Sequence, residues 1–217
     1  MSLFYKLKDP VSSLSHMLGA ILALPCAILM VILAHNRFTV PSAASFAIFG
    51  AALILLYTAS SVYHGVRGTE RVNTALRKFD HMAIFVLIAG TYTPVCAVTL
   101  ANSNGPILLT AIWASALAGI ALKAFWITSP KWLSALIYVA MGWGVIFALY
   151  PLYNALPKGG LTPLLLGGLS YTIGAVIYSL KVRLPFKNVG CHEIFHILVL
   201  IGSAFHVYFI FRYVLFS

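Results

Sequence analysis

Residues 17–34 read MLGAILALPCAILMVILA, without one acidic or basic side chain. A helix needs about 20 such residues, at 1.5 Å each, to cross the roughly 30 Å hydrocarbon core of a bilayer. Comparable apolar runs recur at about 15–34, 42–64, 80–100, 105–125, 132–153, 161–181 and 191–214. Polar or turn-forming breaks separate them: His35-Asn36-Arg37, Arg67 to Lys78, Asn102 to Pro106, Ser129-Pro130-Lys131, Pro157 to Gly160 and Arg183 to Gly190. None of these is long enough to link domains. The expected architecture is therefore all-α: a polytopic membrane protein, one seven-transmembrane helix bundle over residues 1–217.

Composition agrees and removes the soluble classes. Hydrophobic residues make up 61% of the 217-residue chain and charged residues 8%. A net charge of +10 raises nucleic acid as a partner, but the basic residues stand singly between apolar runs and form no stripe, so none is expected. Membrane lipids are the expected partners. The first run is too long for a signal-peptide core, starts beside His16 and is followed by His35-Asn36-Arg37 without a small-residue cleavage pattern. It is expected to remain in the protein. Cys26, Cys96 and Cys191 form no CxxC pair and read as reduced packing residues. The sequence carries no signal of oligomeric state.

Lysine and arginine set the orientation, because cytoplasmic segments retain them. With the N-terminus inside, the inner segments hold Lys6, Lys8, Arg67, Arg71, Arg77, Lys78, Lys123, Lys131, Lys181, Arg183 and Lys187, against Arg37, Lys158 and Arg212 outside. The N-terminus is thus expected in the cytoplasm and the C-terminus outside, with a bacterial cytoplasmic (inner) membrane as the location.

Ionisable groups at membrane depth are expensive and persist where they have partners. His16, His64, His81, His192 and His196 all fall at cytoplasmic span ends under this topology, as does Asp80. His192 and His196, four residues apart, present both imidazoles on one helical face. His64 supplies a third nitrogen from another helix. Three protein ligands with an open position are the arrangement of a catalytic zinc site; iron or cobalt would also accept these donors, but zinc suits them best. Asp80 is placed to accept a hydrogen bond from a water there, and Ser60, one turn before His64, to steady water, substrate or a ligand ring.

His192-Glu-Ile-Phe-His196 also matches the HExxH pattern of zinc proteases. Glu193 is turned about 100° from His192 on a helix, and Asp80 already supplies an acid, so the match reads as incidental and Glu193 as a first-turn acid. His81, turned similarly from Asp80, reads as interfacial, as do His35 and His206. Gly90 and Pro94 mark a kink or close packing in the third span. Tyr57, Tyr63, Trp126, Trp132, Tyr150 and Tyr153 read as interfacial belt residues.

Several motifs in one order carry a resemblance: Asp9-Pro-Val-Ser-Ser-Leu-Ser-His16, Ser60-Ser-Val-Tyr-His64, Lys78-Phe-Asp80-His81, Gly90-Thr-Tyr-Thr-Pro94, Ala140-Met-Gly-Trp143, His192-Glu-Ile-Phe-His196 and Ala204-Phe-His206. The chain resembles the haemolysin III branch of the progestin and adipoQ receptor family, which includes the adiponectin receptors. The resemblance implies a zinc site of Ser60, His64, Asp80, His192 and His196, with Asp9, Ser12 and His16 in support. Relatives often carry Glu and Asn where this chain has Asp9 and Ser12. Three functions follow as expectations: a zinc-dependent hydrolase of a lipid amide or ester, ceramidase-like, at the inner leaflet; a non-enzymatic membrane sensor with structural zinc; and, ranked last, a cytolytic haemolysin.

Overall fold

The computed structural model describes residues 7–180 and 190–216. Among these residues there is no strand, and seven helices are long and apolar enough to cross a membrane. They are α1 (Pro10–His35), α2 (Val40–Gly65), α3 (Glu70–Thr99), α4 (Gly105–Phe125), α5 (Lys131–Ala155), α6 (Leu161–Leu180) and α7 (Cys191–Leu215). Lys6, Lys181, Arg183, Lys187 and most of the break from Arg183 to Gly190 lie outside the described residues.

Each helix packs against its chain neighbour, α5 also touches α3, and α7 returns to pack against α1. The result is a ring of helices around a central cavity, with α4 packed mainly against α3. Association inside lipid relies on close van der Waals packing, because lipid tails are as apolar as leucine. α1 illustrates this: its buried face is Ser12, His16, Gly19, Ala23, Ala27, Met30 and Ala34, spaced three or four apart and mostly small. Leu18, Ile21 and Leu22 on the other face are more than half exposed, as lipid-facing residues should be.

The α1–α2 crossing is close enough to require glycine. A Cβ on Gly50 would lie 2.5 Å from Ala27 Cβ and 3.1 Å from Ala27 Cα. Backbone cannot yield as a side chain can, so Gly50→Ala is expected to cost roughly 1–3 kcal/mol by forcing the helices apart. Thermal unfolding in detergent, read by circular dichroism, checks this; an unchanged midpoint would contradict the packing. Gly90 of α3 approaches α2 similarly, its Cβ position being 2.7 Å from Ala52 Cβ. Four residues later Pro94 precedes a π-helical turn, Val95–Thr99, closed by the Leu100 N–H donating to Val95 O at 3.0 Å.

Two sequence expectations need correction. The polar stretch from Arg67 to Lys78 is not all loop: α3 begins at Glu70, where Thr69 Oγ1 accepts from the Val72 N–H at 3.4 Å. Hydropathy marks where a helix enters hydrocarbon, not where its hydrogen bonds begin. The helix therefore starts about three turns before the apolar run. Tyr57 is not an interfacial belt residue. It is 2% exposed, and its ring meets the edge of His16 at 5.1 Å between centroids, because α1 covers that face of α2.

Candidate metal centre

The site forms at the bundle end where α1 begins, α2 ends and α7 begins. The segment ahead of α1 is strapped across the end of α2. The Asp9 N–H donates to His64 O at 2.8 Å, the Lys8 N–H to Gly65 O at 3.3 Å, and the Arg67 guanidinium to Leu7 O at 2.7 Å. Lys8 Nζ adds a bond to Tyr63 O at 2.5 Å and lies 3.7 Å from the Tyr63 ring centroid. Partial burial there holds the Lys8 ammonium below its usual pKa, partly countered by Asp9.

This strap sets Asp9 Oδ2 at 2.9 Å from His64 Nδ1. A carboxylate at Nδ1 favours the tautomer with the proton on that nitrogen and leaves the Nε2 lone pair free. His64 Nε2 lies 3.3 Å from His192 Nε2, which lies 3.2 Å from His196 Nε2. The ligating atoms of all three fall within 4.8 Å of one another. In a tetrahedral zinc site with Zn–N of about 2.0–2.1 Å, neighbouring nitrogens stand about 3.3 Å apart. The donor set thus fits a metal ion, and His64 and His196 are almost wholly buried.

The remaining expected site residues surround this cluster in different ways. The Ser60 hydroxyl faces the Asp80 carboxylate, and both residues line the central cavity with His192 and His196. His64 is not on that wall. His16 lies against His196, ring centroids 4.1 Å apart, with Nε2 3.4 Å from His196 O rather than in the nitrogen triangle. Ser12 is fully buried, its hydroxyl without a hydrogen-bond partner among the described residues. Glu193 turns away: its carboxylate accepts from the Gly190 N–H at 2.8 Å, holding the start of α7.

The cavity, about 160 Å³, runs from the histidines between α3, α5, α6 and α7 to Tyr92 and Trp143 deep in the bundle. Its walls are mainly apolar, including Leu87, Ile88, Phe195 and Val199. His81 and His206 also line it, which corrects their interfacial reading. α5 wraps the His81 side of α3, with the Tyr138 hydroxyl donating to His81 O at 3.1 Å. His206 sits inside the bundle with Gly202 O 2.8 Å from its Nδ1. Helical spacing separates His81 from Asp80 by angle, but a cavity spanning two faces takes both. Lys123, read from sequence only as a flanking charge, is buried as well.

Fold and site together define a multi-pass membrane protein with a three-imidazole cluster, able to hold a metal ion, at one end of its bundle. A family model described as Haemolysin-III related matches residues 4–207, and the chain belongs to that family. It is 37% identical to Hemolysin-3 of Bacillus cereus, over 99% of this chain and 95% of that protein. It is also 37% identical to the Hemolysin-3 homolog of Bacillus subtilis, over 92% of each. The monocyte to macrophage differentiation factor of Homo sapiens is a more distant relative, 26% identical over 76% of this chain and 68% of its own length. No solved structure matches significantly.

Proposed function

We propose that this chain is a zinc-dependent hydrolase of a lipid amide or ester, ceramidase-like, working at the inner leaflet of a bacterial cytoplasmic membrane with its N-terminus in the cytoplasm. The observation that carries the reading is the convergence of His64, His192 and His196 nitrogens beside an apolar cavity that Asp80 and Ser60 also line. The inner-face placement rests on the excess of Lys and Arg at that end of the bundle.

His64, His192 and His196 would hold the metal. When bound, zinc supplies a Lewis acid that lowers the pKa of a water and polarises an acyl carbonyl. The chain's own residues supply the rest. Asp9 fixes the His64 ring and tautomer through Nδ1. Asp80 takes the proton from the attacking water and returns it to the leaving nitrogen or oxygen, while the Ser60 hydroxyl orients that carboxylate. The apolar walls receive acyl chains and exclude bulk water.

The test is metal content of the detergent-purified protein, followed by a lipid-amide hydrolysis assay on the same sample. Turnover that tracks metal content supports the enzyme. About one zinc per chain without turnover on amides or esters would favour the second reading, a membrane sensor in which zinc staples α2 to α7. That alternative has its own support in His64 lying on one helix and His192 and His196 on the other. Asp9→Asn is expected to leave the fold intact and weaken zinc binding about 10–100-fold, measured by chelator competition. Unchanged affinity would remove Asp9 from the site.

A further inference from the structure

Arg77 and Lys131 line the metal-site end of the cavity, and Lys123 lies behind it; among the described residues none of the three forms an ion pair with an acid. Lys123 of α4 is 1% exposed, and its ammonium donates to Ser129 Oγ at 2.7 Å and to Ser134 Oγ. Both serines line the cavity, as do Arg77 of α3 and Lys131 at the start of α5. Lys131 Nζ lies 4.5 Å from the Tyr178 ring centroid. Among the described residues no carboxylate oxygen lies within 4.0 Å of Arg77, Lys123 or Lys131.

The sequence holds no spare acid to serve them. It has four: Asp9 pairs with His64, Glu193 accepts from the Gly190 N–H, Glu70 is exposed at the start of α3, and Asp80, on the cavity wall one turn from Arg77, forms no ion pair with any of the three cations. Residues 181–189 contain only further bases, Lys181, Arg183 and Lys187. A buried ammonium with hydroxyl partners alone is costly, and an anion from outside the chain would offset that cost.

We infer that it is a subsite for a phosphate group, with Arg77 and Lys131 as the contacting charges and Ser129 as a neutral donor. Guanidinium matches phosphate oxygens with two parallel N–H bonds, and basic pockets between membrane helices bind lipid headgroups. The serines gain their role from Lys123, which occupies lone pairs on both oxygens. Ser134 has Pro130 O within 3.3 Å for its own proton, and the Ser129 O–H, which lies 3.3 Å from Ser134 Oγ on the cavity wall, can turn from that oxygen to an incoming acceptor. The substrate consequence rests on the hydrolase reading above: the substrate would be a lipid amide or ester that carries a phosphate.

The test is direct binding to the purified full-length chain in neutral detergent, followed by native mass spectrometry and titration. The probes are short-chain phosphatidic acid, the diacylglycerol with the same chains, and inorganic phosphate. Phosphatidic acid is expected to bind better than diacylglycerol. That preference should fall about tenfold or more in Arg77→Gln and in Lys131→Gln, the value of one charge-assisted hydrogen bond, and persist in Lys158→Gln at the other end of the bundle. Lys131 is exposed at a helix start, so its variant decides the matter if Arg77→Gln unfolds. Inorganic phosphate binding as tightly as phosphatidic acid, with the same variant dependence, would keep the subsite and make free phosphate its ligand. Equal binding of the two lipids, or a preference unmoved by both variants or equally lost in Lys158→Gln, overturns the proposal. The preference is a binding readout that needs no turnover, which separates this result from the fate of the hydrolase reading.

Discussion

His64→Ala, His192→Ala and His196→Ala, each purified in detergent beside the parent, are expected to lose the metal that the parent retains at about one zinc per chain. Elemental mass spectrometry reads this directly. The effect should be close to complete for each, because two remaining imidazoles leave the ion with half of a four-coordinate shell. The three rings come from two helices that meet only by tertiary packing, and His64 and His192 are 128 residues apart with Nε2 atoms at 3.3 Å. Loss of metal in all three variants would establish that the cluster acts as one site. Near-stoichiometric zinc that survives any one substitution, or no zinc in the parent, would reduce these histidines to buried polar residues and end the hydrolase reading.

Asp80→Asn should separate chemistry from binding. Asp80 is not part of the nitrogen triangle, so the variant is expected to keep its zinc while hydrolysis falls by about 10²–10⁴-fold, the usual contribution of a positioned acid–base group. The asparagine side chain preserves volume and keeps an oxygen acceptor beside Ser60, which limits structural damage. Glu193→Gln is the control. Its carboxylate is engaged with the Gly190 N–H, and the amide oxygen of glutamine can take the same bond, so activity should stay near that of the parent. The opposite pattern, with Glu193→Gln inactive but metal-bound and Asp80→Asn active, would return HExxH to its protease-like meaning.

Local periodicity explains why part of the site is legible in the sequence alone. Two histidines four apart on an apolar run must share a face, because 3.6 residues make a turn. Antiparallel threading of seven spans brings the end of α2 to the level of the start of α7, so His64 follows as the third nitrogen. The same arithmetic fails for His81 and Tyr57. Angle around one helix says which way a residue points and nothing about what covers that direction. α5 turns the His81 side into cavity wall, and α1 covers Tyr57.

Charge is the least readable quantity. Lys123 counts in sequence as one more flanking base, yet it is buried behind Ser129 and Ser134, six and eleven residues further along the chain. The sequence by itself determined the class, the seven spans and the faces on which the site histidines lie, because hydrocarbon thickness and helical period act on neighbouring residues. Only the tertiary structure decided that Asp9 holds His64 from 55 positions away, that the nitrogens close to contact, and that Arg77 and Lys131 reach one cavity with Lys123 behind its serines. Such pairings depend on which helices touch and at what height, and that is set by the packing of the whole bundle, not by any local stretch of it.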